Sequence, residues 1–496
     1  MPWQTELIDR VLSDLKNPAD GRVFYWWHGF CVNMPVKEAP GSCQSGQKAE
    51  GEGILRAVSS KMAGVSLGIG SWVGLMPAVA HAAPTGPGMV PVTQISAGDT
   101  AWMLTATALV LLMTIPGLAL FYAGMVRKKN VLSTAFQSLA VTCVVTLVWV
   151  VVGYSLAFTP SSFFIGGFDR VLLHGLGFSP DGAEISVSHI ASSVPEAVFV
   201  MFQLTFAIIT PALLTGAFAE RIRFPAMLLF IALWSLLIYA PIAHWVWEPG
   251  GWLAAQGVLD FAGGTVVHIN AGIAGLVCAY MLGPRLGYGR LAFPPFSLTY
   301  TLLGASLLWV GWFGFNAGSA VAADGRAAMA MLVTQVATAM AVLTWMALEW
   351  WVKARATLLG ACSGAVAGLV AITPASGFVD AGGALIIGLV AGVACYWGAT
   401  GLKQVLGADD ALDVFGIHGI GGIVGALLTG LLANPAVGGM HGNMIAQTTG
   451  VIATLVYSGV GTWVILLLVN LVSPLRVSAE DEEDGLDISQ HAERII

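Results

Sequence analysis

The chain has 496 residues, of which 56% are hydrophobic and only 10% charged, with 61 glycines. An ordinary globular core, in which about a quarter of residues are charged, is excluded by those proportions, and lipid is the solvent they require. The net charge of -7 comes largely from the C-terminal end, with its acidic run Glu480 to Asp484, and no basic nucleic-acid-binding surface is present.

Residues 1–61 are polar, hold seven of the 21 Lys and Arg residues and lack sustained helical periodicity, which marks them as a poorly structured extension or a misassigned start. From Lys61 a basic zone, an apolar run and Ala80-His81-Ala82 follow in the order of a secretory signal peptide over 62–82, with cleavage expected after Ala82. A signal peptide so far along the chain points to translation from Met62, the alternative being a real cytoplasmic extension. The six cysteines (Cys31, Cys43, Cys143, Cys278, Cys362 and Cys395) are scattered, four of them in apolar runs and none at metal-ligand spacing, so buried thiols are expected.

A bilayer core about 30 Å thick needs about 20 mostly apolar residues per helix. Eleven runs qualify, near 101–124, 134–158, 194–218, 224–246, 262–283, 297–318, 327–349, 356–373, 381–402, 412–433 and 447–472. Segments after odd-numbered spans carry Arg127, Lys128, Lys129, Arg221, Arg223, Arg285, Arg290, Lys353, Arg355, Lys403 and Arg476, against Arg170 and Arg326 after even-numbered ones. Positive loops stay in the cytoplasm, so this asymmetry predicts an N-terminus outside and an acidic tail, 474–496, inside. The expected fold is an all-α polytopic membrane domain over 98–473.

His268-Ile-Asn-Ala-Gly-Ile-Ala-Gly in the fifth span and His418-Gly-Ile-Gly-Gly-Ile-Val-Gly in the tenth agree at the histidine and three later positions. Two five-span units in tandem have opposite topology, so they read as a 5+5 inverted repeat with one extra helix and a solute path at their interface. Polar rings facing lipid are costly, so both histidines are expected to face inward, with small neighbours letting the helices approach closely.

Gly311-Trp-Phe-Gly-Phe-Asn-Ala-Gly-Ser319, Asp260-Phe-Ala-Gly-Gly-Thr-Val-Val-His268 and Asp413-Val-Phe-Gly-Ile-His418-Gly resemble the Amt/MEP/Rh ammonium transporters, and the bacterial Amt type in particular. The likeness runs from about Gly98 to Ile488 and includes Phe121-Tyr-Ala-Gly-Met-Val-Arg127 and Gly216-Ala-Phe-Ala-Glu-Arg-Ile-Arg-Phe224. It implies an outer recruitment site at Phe202, Trp247 and Ser319, a gate of Phe206 and Phe315, and a twin-histidine pore at His268 and His418. Asp260 takes a structural and electrostatic part near the vestibule, and Asp413 a local structural one.

The implied partners are ammonium and ammonia, membrane lipid, two further copies in a homotrimer and a PII-type signal protein at the cytoplasmic face. The implied location is a bacterial inner membrane; no cofactor, metal or enzymatic activity is expected. Two other readings use the same residues: an ammonium sensor with little flux, and a membrane oxidoreductase with haem or metal on His268 and His418. The second lacks further histidines inside the spans, because His174, His189, His244 and His441 lie at span ends or in loops.

Overall fold

The computed structural model describes residues 86–495. The extension expected over 1–61 and the signal peptide expected over 62–82 lie outside the described residues.

Among the described residues ten helices are long and apolar enough to cross a membrane: α1 (Ala97–Met125), α2 (Lys128–Phe158), α3 (Glu196–Leu214), α4 (Phe224–Ala255), α5 (Gly264–Leu282), α6 (Leu298–Gly318), α7 (Gly325–Lys353), α9 (Ala381–Leu406), α10 (Phe415–Leu432) and α11 (Met444–Val472). Between them lies α8 (Leu358–Ile372), apolar but only 15 residues long. At 1.5 Å per residue it covers about 22 Å, short of the hydrocarbon thickness by itself.

The helix starts follow from local chemistry. The four leading N–H groups of a helix need acceptors, and Ser, Thr, Asp or Asn immediately before the apolar run supplies one. Ser96 caps α1, Ser297 caps α6, Asp324 caps α7, Thr357 caps α8, Asp380 caps α9 and Asn443 caps α11, each accepting a backbone N–H two or three residues on. Within α1 the run is not continuous as expected. Ile115, placed before Pro116, leaves the helical region (φ -120°, ψ 104°), because proline disfavours the helical conformation in its predecessor.

Two further departures concern strands and thiols. Gly88–Pro91 (β1) and Glu184–Val187 (β2) pair antiparallel, so one small ribbon joins the helices in the described chain. Among the described cysteines Cys278, Cys362 and Cys395 are buried as expected, whereas Cys143 lies on the outside of the bundle.

At the end of the bundle where α4 begins, four charged residues from separate connections interlock. Glu220 accepts from the Arg127 backbone N–H at 2.7 Å and its Nε at 2.8 Å, and Asp409 accepts from Arg285 Nη2 at 2.8 Å and Nε at 2.9 Å. The Phe293 ring lies between the two guanidinium groups, 4.6 Å from Arg127 and 4.5 Å from Arg285. The tail closes over this end with α12 (Ala479–Asp484) and α13 (Leu486–His491). Asp487 accepts from the N–H groups of Leu132 and Ser133 at 3.1 and 2.8 Å and so caps α2 from far along the chain, and Gln490 accepts from the Phe224 N–H at the start of α4. Glu482 accepts from Arg476 Nη2 at 2.6 Å and from the Leu286 N–H at 2.7 Å. Both Glu482 and Asp487 are buried.

Burial raises the carboxyls of Glu220 and Asp409, but the adjacent guanidinium groups outweigh it and hold both below their usual values. Groups with depressed folded values add stability above their unfolded values, about 3.9 for Asp and 4.3 for Glu, and that stability is lost as pH falls through the folded values. The thermal midpoint in detergent is therefore expected to drop below about pH 4.5, and Glu220→Gln is expected to lower it at pH 7 by the equivalent of about 3 kcal/mol, since it strands Arg127. A Gln variant with an unchanged midpoint at pH 7 contradicts this.

Candidate functional site

The residues singled out in the sequence fall into two groups along the interior, beginning at the end of the bundle where α4 breaks. Glu248 there has an extended backbone and leaves Trp247 as the last residue of the long helical stretch. Its indole Nε1 donates to the Asp260 carbonyl at 3.0 Å, which fixes the ring plane. A cavity of about 90 Å³ opens beside it, walled by Phe199, Gln203, Phe206, Trp247, Phe261 and Ser319 among others. The Ser319 hydroxyl donates to the Phe315 carbonyl at 2.9 Å. Its proton is thereby committed, and its lone pairs remain to accept from a guest.

Phe202 does not line this cavity. It is buried behind Phe206, with ring centroids 5.0 Å apart in an edge arrangement. Gln203 is on the wall instead, with a buried Oε1 that has no hydrogen-bond partner. Sequence reasoning passed over it, although a Gln inside an apolar span is a visible signal of an inward polar group.

Below the cavity the aromatic rings form a file. Phe206 meets Trp247 edge-on at 5.6 Å and lies over Phe315 at 4.2 Å with planes 32° apart. Phe315 faces His268 at 6.1 Å, and Trp312 flanks the same imidazole at 5.4 Å, held by a bond from its Nε1 to Thr373 Oγ1 at 2.8 Å. His268 and His418 come next, ring centroids 5.4 Å apart and Nδ1 to Nδ1 3.3 Å, at the long end of hydrogen-bond range. Both are buried, and His268 Nε2 has no partner.

Each histidine lies in a π-helical turn that opens its helix, Gly264–Ile269 for α5 and Phe415–Gly419 for α10. Such wide turns re-aim side chains and recur at functional positions. The two helices cross with almost no side chain between them, since a Cβ on Gly272 would lie only 2.3 Å from the Gly419 Cα. That backbone contact brings the imidazoles within reach of each other.

The carboxylates nearby act on backbone. Asp260 accepts from the N–H groups of Gly263, Gly264, Thr265 and Val266 at 2.6 to 3.1 Å, which fills both oxygens and anchors the start of α5. Asp413 accepts from Lys403 Nζ at 2.8 Å and has a left-handed backbone, φ 59°. Of the remaining histidines, His189 Nε2 pairs with Glu248 at 2.8 Å, and His244 places both ring nitrogens on backbone carbonyls, those of Ala157 and Ser162. Among the described residues no three His, Cys, Asp or Glu side chains gather in a metal-holding group.

The sequence profile of the Ammonium Transporter Family matches residues 101–495. An ammonium transporter of Bacillus subtilis is 48% identical over 406 residues, covering 80% of this chain and 98% of its own. Among solved structures, Mep2 of Saccharomyces cerevisiae superposes with a TM-score of 0.72 at 38% identity, covering 78% of this chain and 89% of its own. A protein described as a sensor Amt protein reaches 0.73 at 29% identity, covering 79% and 98%.

Proposed function

Because the chain belongs to the ammonium transporter family, we propose that the file of rings from Trp247 to His418 is its transport path. The one observation that carries this reading is that Trp247, Phe206, Phe315, His268 and His418 succeed one another in contact through the interior. Eleven crossings, with the Trp247 end outside and the tail inside, agree with the charge asymmetry of the loops.

Ammonium enters the cavity, where the Trp247 ring face attracts it and the Ser319 and Gln203 oxygens accept its N–H bonds. Phe202 supports the Phe206 ring. The Phe206 and Phe315 pair interrupts the water column, so a full cation loses most of its solvation at that level. Neutral ammonia bears that loss far better, and the ion gives up its proton before passing. Ammonia then crosses the apolar lumen beside His268 and His418, while the linked imidazoles relay the proton, accepting on one nitrogen and releasing from the other. Asp260 holds the helix start that aims His268.

The family resemblance supports a homotrimer in a bacterial inner membrane. Lys128, Arg223, Arg290 and Arg355 are exposed at the inner face, a basic surface suited to a PII-type signal protein.

The test is the current evoked by an ammonium pulse in proteoliposomes, expected to be transient and saturable. A second reading, a sensor with little flux, takes its support from the sensor neighbour; the absence of both current and ammonia flux would establish it in place of transport. Trp247→Leu is expected to raise the half-saturating ammonium concentration by about tenfold, the equivalent of about 1.4 kcal/mol of ring attraction. An unchanged concentration removes the ring from recruitment.

A further inference from the structure

The repeat extends beyond the histidines. Asp260 stands eight residues before His268, and Asp410 stands eight before His418, each ahead of a helix that opens with a π-helical turn. Their surroundings differ. Asp260 spends both oxygens on four backbone donors. Asp410 accepts the Phe415 N–H at 2.7 Å through Oδ2, with the Val414 N–H facing the same carboxylate, and its buried Oδ1 has no partner.

Asp410 lines a cavity of about 10 Å³ whose walls include Leu276, Lys403, Asp413 and Gly416. That volume suits a single water, and the wall offers it several polar partners. The cavity reaches Gly416, two residues before His418, and also Lys403 and Ala408 near the inner surface. It therefore adjoins both the histidine turn and the inner connection.

We propose that Asp410 is the inner proton relay of the path, taking the proton that leaves His418 through a water in this cavity and releasing it on the tail side. This rests on the proton-coupled reading above. An N–H bond of His418 breaks as its proton passes to the water, and a proton of that water forms an O–H bond at Asp410 Oδ1. His418 is reprotonated from His268 across their Nδ1 contact. The carboxylic acid then loses its proton to solvent, and the carboxylate is restored.

The charged and titratable groups around Asp410 are consistent with a proton site. Lys403, bonded to Asp413 at 2.8 Å, favours the carboxylate, as does Arg221 from the α3–α4 connection. Asp413 opposes it, and Tyr122 of α1 and Cys278 of α5 lie near it. Burial is the largest influence and pushes the carboxyl up to about 6. Asp410 can then exchange protons at a pH found in cells.

The experiment measures ammonium-evoked current and ammonia flux in proteoliposomes of the full chain while pH on the tail side is stepped between about 5 and 8. The current is expected to fall as that pH drops through about 6, because the protonated carboxyl cannot accept. Asp410→Asn, which keeps an oxygen for the Phe415 N–H, is expected to lose at least about tenfold of the current and the pH midpoint. Asp410→Glu is expected to keep the current with a displaced midpoint. An Asn variant with unaltered current and pH profile overturns the relay, and so does a Glu variant as silent as the Asn one, which marks the residue as a cap alone. Unaltered protein that passes ammonia without current overturns the proton-coupled reading itself, and the relay with it.

Discussion

Replacement of either pore histidine, His268→Ala or His418→Ala, is expected to reduce the ammonium-evoked current about 100-fold, the lower range for loss of a positioned proton-transfer group. The two rings share one hydrogen bond at 3.3 Å in a buried setting. Removing one leaves the other Nδ1 unpartnered among apolar neighbours, and the proton has no carrier across the gap. Ammonia, small and neutral, can still pass through the wider lumen. Simultaneous measurement of current and gradient dissipation separates the two species: loss of current with ammonia flux retained is the expected pattern. Equal loss of both assigns the pair to conduction of ammonia as well. A full current in both variants removes the histidines from the proton's route.

Gly272→Leu is expected to abolish recovery of folded protein from the membrane. The Cβ alone would lie 2.3 Å from the Gly419 Cα and 2.4 Å from its backbone nitrogen, and neither neighbour is a flexible side chain that can swing aside. Helices α5 and α10 must then separate, breaking both their packing and the histidine contact. Overpacking of a tight core costs about 1 to 3 kcal/mol where atoms can yield, and a backbone-on-backbone contact exceeds that range. Gly325→Ala, where a Cβ meets nothing within 4 Å, serves as the control. Size-exclusion profiles of both variants in mild detergent provide the comparison, and a monodisperse Leu variant at the control's level contradicts the close-packing argument.

The helices were legible because apolar runs of span length are rare in any other context, and six of their starts carry an obvious capping residue. The β ribbon was not, since its four-residue strands give no measurable alternation. The same holds for the break at Ile115, although Pro116 was there to be read. At the candidate site, the histidine motif and the shared glycines pointed to the two helices whose imidazoles meet. The proposed carboxylate relay was harder to read: Asp413 lies within the recognised motif, but the eight-residue spacing of Asp260 from His268 recurs at Asp410. The contacts of the acidic tail were not legible either, because nothing local announces that Glu482 binds the Leu286 backbone or that Asp487 caps α2. Such contacts depend on residues distant in sequence.

The Nδ1 contact between the histidines gives the pair a polarity. With both rings neutral, one Nδ1 carries the hydrogen and the other receives it, so the bond points toward one face of the membrane or the other. On the proposed proton-coupled scheme, a proton that enters at His268 and another that leaves at His418 reverse the arrow, as in any chain that conducts by hopping. The next proton finds the wire set the wrong way until the hydrogens are rearranged. Rotation of the His268 ring is hindered by Trp312, whose plane lies within 19° of it. Resetting by exchange with ammonia or water in the lumen avoids that rotation, which makes the passing cargo itself the agent that readies the wire. Turnover on this scheme is paced by how often the pair is visited, and protons advance in step with ammonia.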